Sequence, residues 1–570
     1  MRFVLLASDY DETLALHGRV DEPTREALAR LASSGRKLML VTGRTLEDLL
    51  RVFPEAGLFC RLVVENGAVI YDPATRAKRH LGEKPSPEFV TLLERRGVAP
   101  LDVGDVIVAT REPHEAVVLS TIRELGMGHQ VVFNKGAVMV LPSGIDKGTG
   151  LVAALDEIGF SPHNVVGIGD AENDHAFLRK CELAVAVHNA LPLVRQRADV
   201  VTRGEAGRGV VEIVDELVTD DLARFESSIR RHHILVGTTR DGREFRIPPH
   251  GTNVLIAGPS GSGKSQTATA LLERIIASGY QVCLVDPEGD YEDLESAVSI
   301  GGPEKGVTVD EVVRLLRKPS EQVIANLLGL SLADRPAFFA SLLPRLQTLR
   351  ARAGRPHWIV VDEAHHLLPA SGDPAVLALP QSLGSLLAVT VHPGQVSPAV
   401  LKNIQLVLAV GSKPEATIAD FCAAIGHRAP RWTAGEAKPD EVIAWSPASR
   451  EHPVRIEVAP AGGVHRRHRR KYAQGDLGPD RSFYFRGPDA RLKLRAQNLI
   501  LFLELADGVD EPTWLFHLRR GDYSRWLREG IKDESLARSV EQIERSADIT
   551  AAASRSLVRR AIEERYTLPA

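Results

Sequence analysis

Asp9 and Asp11 stand two positions apart in DYDETLA, directly after an apolar run. One carboxylate so placed can attack a phosphate monoester, and its neighbour can give a proton to the leaving alkoxide and later recover it. Acidic pairs at strand ends are common, so the pair needs company to mean anything. That company is present: VTGR supplies Thr42, GIDKG supplies Lys147, and GIGDAEND supplies Asp170 and Asp174. Thr42 and Lys147 can hold the transferring group, while Asp9, the Asp11 backbone carbonyl and Asp170 offer the hard oxygens that Mg2+ prefers. Asp174 and Asn173 complete an outer acidic shell.

A second set of residues lies in NVLIAGPSGSGKSQTATALLERI. Gly258, Gly261 and Gly263 allow a loop whose N–H groups wrap phosphates. Lys264 reaches the β and γ oxygens, Ser265 ligates magnesium, and Gln266, next along the helix that opens there, is a further nucleotide-binding candidate. WIVVDEAHHLLP adds an apolar strand ending in Asp362, suited to the magnesium shell, and Glu363, suited to polarising a water. That adjacent glutamate favours ATP hydrolysis over transfer to a hydroxyl acceptor. Both sets require strands that end where the polar residues begin.

The sequence provides such strands. FVLLASD, KLMLVTG, RLVVENG, NVVGIGD and LAVAV read as buried parallel strands alternating with helical patterns, which gives an α/β core over residues 1–220. From about 83 to 143 the pattern breaks into DVIVAT, HEAVVLSTIREL, HQVVFN and AVMVLP, as expected of an inserted α/β cap. There His129 and Lys135 are candidates to meet an anionic substrate, against a solvated surface as the plainer role. A hairpin around Asp241-Gly242 opens a second α/β unit, residues 230–460. A Gly-, Arg- and Pro-rich stretch, 461–487, reads as a linker carrying the basic run HRRHRRK, and 488–570 as a small helical module.

The 570 residues, 44% hydrophobic and 25% charged, suit several cores, and the net charge of −4 gives no general pull toward nucleic acid or anionic membranes. Cys60, Cys181, Cys283 and Cys422 lack metal-site or redox-pair spacing and read as buried thiols. No run approaches the length of a membrane helix. A cytoplasmic location is expected.

The first constellation resembles the haloacid dehalogenase superfamily, and more narrowly its Cof-like and sucrose-phosphatase-like branch, through ENGA at Glu65–Ala68 and the cap position. The resemblance implies a Rossmann-like core and Mg2+-dependent hydrolysis of a small, sugar-phosphate-like metabolite through a phosphoaspartate on Asp9. Glu12 departs from the pattern, where many members carry glycine. The second constellation resembles the HerA/FtsK-like ATPases, P-loop domains of the RecA-like additional-strand class, through the P-loop, VDPEGDY and DEAHHLLP. This implies ATP as ligand, Asp286 and Glu288 near the site, and Thr390 or His392 at a sensor position where HerA proteins usually have Gln. It also implies a ring-like homo-oligomer whose trans-acting arginine could be Arg345, Arg350, Arg352 or Arg428. Alternatives to an ATPase-regulated phosphatase are a nucleic-acid machine with an end-phosphatase and an ATP-gated defence or scaffold component. Nucleic acid is the less favoured partner, and no membrane partner is expected.

Overall fold

A computed structural model of the chain describes residues 1–291, 294, 296–370, 384–432, 441–449, 452–458, 477, 481–488, 492, 494–531, 533–546 and 549–566. The basic run 465–471 lies outside the described residues. Among the described residues, no helix is long and apolar enough to cross a membrane.

The first sheet has eight strands. Val200–Val201, Leu183–Ala186, Val165–Gly169, Leu5–Ser8, Lys37–Val41 and Arg61–Val64 run parallel in that order, and Val69–Tyr71 with Lys78–His80 extend one edge as a hairpin. All four residues of Leu5–Ser8 are buried, as a central strand covered on both faces must be. Its neighbours in register are Lys37–Leu40 and Val165–Ile168, so the carboxyl ends of three strands meet beside Asp9. Strand order reverses there, which is where open α/β sheets bind ligands.

The cap is an antiparallel sheet in the order Asp102–Val103, Val108–Arg111, Ala137–Pro142, His129–Asn134. Helices Pro87–Arg95 and Glu115–Glu124 accompany it, and its core, including Phe89, Leu93, Val118 and Val138, is separate from that of the first sheet. The other face of its sheet, with Met139 and Leu141, packs into the core of the first sheet.

Among the described residues the second sheet has eleven strands: Glu244–Ile247, Ile234–Thr239, Val454–Glu457, Glu441–Trp445, Leu406–Val410, Val254–Ala257, Leu386–Thr390, Trp358–Val361, Val282–Asp286, Val323–Asn326 and Val298–Gly301. The expected Asp241-Gly242 hairpin is its edge. Leu386–Thr390 lies between the strand that feeds the glycine loop and the strand that ends at Asp362, which is the additional-strand arrangement. Alternate residues of the central strands enter different cores, Leu255 and Val285 in one and Ile256 and Leu284 in the other, so both faces are covered.

At the C-terminal end the structure corrects the sequence reading. Phe483–Phe485, assigned to the linker, pairs antiparallel with Leu494–Ala496. That hairpin joins helices Leu499–Gly508, Glu511–Arg519, Asp522–Glu529, Glu534–Glu544 and Ala551–Tyr566 in one core. Trp514 and Tyr523 are fully buried and Trp526 nearly so, whereas Phe516 is half-buried and lies against Arg520.

Candidate active site

The phosphatase-type residues converge. Asp9 follows Leu5–Ser8, and Asp170 follows Val165–Gly169. A carboxylate oxygen from each of Asp9, Asp170 and Asp174 lies within 4.8 Å of the others, and all three residues are buried. Lys147 Nζ donates to Asp9 Oδ1 and to Asp174 Oδ1, at 2.6 Å each. The other Asp174 oxygen accepts from the backbone N–H of Asp170 and Ala171, at 2.8 and 2.9 Å, and so fixes the turn that presents Asp170. Asp170 itself accepts from Thr13 Oγ at 3.0 Å and Lys135 Nζ at 2.6 Å.

Electrostatics follow from this crowding. Burial, and then the Asp174 charge, hold the Asp9 carboxyl well above the ordinary aspartate range. Asp170 is raised for the same two reasons. For Lys147, burial opposes protonation, but the Asp174 and Asp9 charges outweigh it and raise the pKa. Three buried carboxylates facing two lysines form a site short of positive charge, and their oxygen donors fit a hard divalent cation.

Lys147 opens helix Lys147–Ile158, whose N-cap Asp146 and Thr149 form a reciprocal capping box. The helix start presses against the ENG turn so closely that a Cβ on Gly67 would stand 1.9 Å from the Asp146 carbonyl oxygen. Beside that glycine, the Glu65 carboxylate accepts from the N–H groups of Asp105, Val106 and Ile107, at 2.9, 2.8 and 3.0 Å. The ENGA motif therefore ties the core to the cap. Asn173 donates to Asn66 Oδ1 at 2.9 Å.

Asp11 is held away from this cluster's lysines. Arg44 Nε and Nη2 clamp both its oxygens, at 2.8 and 2.7 Å, and Arg44 also binds Asp48. Thr42 is fully buried and its Oγ accepts from the Arg44 N–H at 3.3 Å. Glu12 has a φ of 60°, the left-handed region glycine favours, which explains why glycine suits this position and what glutamate costs there. Lys135 occupies the tip of the His129–Asn134/Ala137–Pro142 hairpin with φ 47°, and reaches Asp170 from the cap. The solvated-surface reading of Lys135 gives way to this contact, whereas His129 is half-buried and its Nδ1 has no hydrogen-bond partner among the described residues.

Residues 6–103 and 102–214 match the model of the haloacid dehalogenase-like hydrolases. Phosphoglycolate phosphatase 2 of Saccharolobus solfataricus is 30% identical over 229 residues, which cover 39% of this chain and 95% of that protein. The chain belongs to the haloacid dehalogenase-like hydrolase family. A phosphoglycolate phosphatase of Methanothermobacter thermautotrophicus is 29% identical, over 37% of this chain and 96% of its own length. A solved haloacid dehalogenase-like hydrolase from Bacteroides thetaiotaomicron, 20% identical, covers 38% of this chain and 99% of its own with a TM-score of 0.34. Residues 251–335 match the central domain of helicase HerA. This haloacid dehalogenase-type chain is thus a phosphoric monoester hydrolase fused to a HerA-type ATPase domain.

In the HerA-type unit, Gly258 has no room for a side chain, since a Cβ would stand 2.1 Å from the Val410 carbonyl oxygen. Gly261 and Gly263 have φ of 75° and 100°, and Gly263 caps helix Lys264–Ala277, whose first turn carries Lys264, Ser265 and Gln266. Lys264 Nζ donates to the Pro259 carbonyl at 3.0 Å. Asp362 is buried at the end of Trp358–Val361, and burial followed by the Asp286 and Glu363 charges raises its pKa. Glu363 has a φ of 41°.

Of the flanking candidates, Asp286 caps a turn, accepting from the N–H groups of Glu288, Gly289 and Tyr291 at 3.1, 2.8 and 3.0 Å, and burial lifts it to about 6. Glu288 contributes a backbone N–H to that turn. Thr390 Oγ stands 3.1 Å from His365 Nδ1, which is 3.4 Å from Glu363 Oε2, while His392 is exposed. His365 was not singled out in the sequence, although DEAHH places it two residues past Glu363. Arg350 is excluded as a trans-acting arginine: it binds the Pro356, Gly384 and His357 carbonyls within its own chain. Arg345 pairs with Asp310, and Arg352 and Arg428 are exposed.

Proposed function

We propose that the first unit hydrolyses a small phosphomonoester with an anionic leaving group, with Asp9 as nucleophile, and that the HerA-type unit binds and hydrolyses ATP to regulate or position it. The carrying observation is the convergence of Asp9, Asp170 and Asp174 around Lys147, with Lys135 entering from the cap. Asp9, Asp170, the Asp11 carbonyl and the nearby Asp174 would hold Mg2+, which when bound offsets the charge shared by carboxylates and phosphate.

The chain's own groups divide the remaining work. Lys147 keeps Asp9 ionised and oriented, and Asp9 attacks phosphorus to form the phosphoaspartate while the phosphorus–oxygen bond to the alcohol breaks. Asp11 delivers the proton to that alkoxide and takes one from the water that hydrolyses the phosphoaspartate. To do so it must leave the Arg44 clamp, which couples acid–base action to substrate arrival. Thr42 would bind a phosphoryl oxygen.

Lys135 supports a carboxylate-bearing substrate of the kind that the phosphoglycolate phosphatase relatives are named for, above the neutral sugar phosphate that the Cof-like resemblance implies. In the second unit, Gly258, Gly261, Gly263, Lys264, Ser265 and Gln266 would bind ATP, Asp362 its magnesium, and Glu363 the attacking water. Turnover of 2-phosphoglycolate, a hexose phosphate and an aryl phosphate, with Mg2+ and with and without ATP, tests the reading. We expect 2-phosphoglycolate to be preferred and ATP to change its rate. Equal rates on all three esters, indifferent to ATP, contradict it.

A further inference from the structure

The phosphatase and ATPase units meet around a buried carboxylate that neither site uses. Glu182 precedes strand Leu183–Ala186 and is fully buried. Its Oε2 accepts from Tyr280 Oη at 2.9 Å and lies 2.7 Å from His163 Nδ1. Its Oε1 accepts from Arg2 at 2.9 Å and lies 3.5 Å from His250 Nε2. One ligand atom from each of His163, Glu182 and His232 lies within 4.8 Å of the other two.

The outer contacts of the rings decide which nitrogens are available. His163 Nε2 lies 2.8 Å from the Ser278 carbonyl oxygen, and His232 Nε2 lies 3.2 Å from the Cys181 carbonyl oxygen. Carbonyls only accept, so each Nε2 carries its hydrogen and each Nδ1 is left as the coordinating nitrogen. An imidazole whose far N–H is pinned by a backbone carbonyl is the usual arrangement of a metal-bound histidine. His250 Nε2, buried, has no hydrogen-bond partner among the described residues.

The geometry points to a zinc-class metal site formed by His163, His232 and Glu182, one ligand atom of each lying within 4.8 Å of the others. Two imidazoles and a carboxylate are a common zinc donor set. Occupancy replaces the proton shared between His163 Nδ1 and Glu182 Oε2, and opens their 2.7 Å separation to the roughly 3.3 Å that tetrahedral ligands need. His163 and Glu182 belong to the phosphatase, and His232 to the segment leading to the second sheet. Ser278 and Tyr280 follow the helix that begins at the P-loop. The metal would staple the two units, with one ligand placed just ahead of the strand that ends at Asp170.

The test uses the full chain, purified and dialysed against a weak chelator, with metal content measured for wild type, Asp9→Asn and the double variant His163→Gln/His232→Gln. We expect about one zinc per chain in the first two and none in the third, with its circular dichroism retained and its Tm lower by about 5 °C or more. Should the double variant not fold, cobalt(II) loading of the wild type decides: the site predicts the intense visible bands of tetrahedral cobalt, which octahedral oxygen sites do not give. Wild type that keeps no zinc and shows only weak octahedral bands overturns the assignment, as does zinc retained undiminished by the folded double variant.

Discussion

The two proposed sites of this chain would meet the same need, holding phosphate oxygens, with opposite materials. The phosphatase site is built from side-chain charge: Asp9, Asp170 and Asp174 against Lys147 and Lys135, brought together from separate segments. The HerA-type site is built mainly from backbone, in one loop between the strand Val254–Ala257 and the helix Lys264–Ala277. Charge is portable across a fold but costly to bury unpaired. Backbone geometry is cheap to bury but tolerates almost no added atom.

This contrast can be broken by substitution, and the largest effect falls on Lys147. Lys147→Met leaves the Asp9 and Asp174 carboxylates without their shared cation, and should cost about 3–5 kcal/mol of stability together with all phosphatase turnover. Chemical denaturation with an activity assay checks both; an active, undiminished variant breaks the charge-based account. For the backbone-based site, Glu363→Gln should slow ATP hydrolysis about 10²-fold or more while ATP binding persists, read by phosphate release and by equilibrium binding. Gly258→Ala adds a carbon where the Val410 carbonyl already stands, and should weaken ATP affinity about tenfold or more without touching phosphatase turnover measured in the absence of ATP.

Smaller effects sharpen the comparison at the cap. Glu65→Ala deprives three cap N–H groups of their acceptor, and should destabilise the chain by about 2–3 kcal/mol, seen first as faster amide exchange at Asp105–Ile107. Lys135→Met should raise KM for 2-phosphoglycolate by about tenfold and leave KM for a neutral sugar phosphate within about twofold.

How far the sequence shows these sites depends on the same contrast. GPSGSGKS is contiguous, so its loop, helix and glycine requirements could be read directly. Asp9, Thr42 and Asp170 could be read because a parallel sheet brings the carboxyl ends of its strands to one edge. Lys135 reads more plainly as solvated surface, because nothing local to a hairpin tip shows that the cap folds it onto Asp170. The Arg44 clamp on Asp11, the His365 contact with Thr390 and the carbonyls that occupy Arg350 are likewise long-range or orientational facts. Phe483–Phe485 was hidden by its setting, a Gly- and Arg-rich stretch that masks a three-residue strand. Glu12 shows the converse: the sequence marked it as unusual, and its left-handed backbone supplies the reason.

In the proposed mechanism Asp9 carries the phosphoryl group of the covalent intermediate. Borohydride added during turnover of 2-phosphoglycolate with Mg2+ reduces an aspartyl phosphate to homoserine, which peptide mass spectrometry locates. The account predicts homoserine at position 9, absent without substrate and absent in Asp9→Asn, whose turnover falls about 10³-fold or more. Sustained turnover with an unmodified Asp9, or reduction at another aspartate, contradicts it.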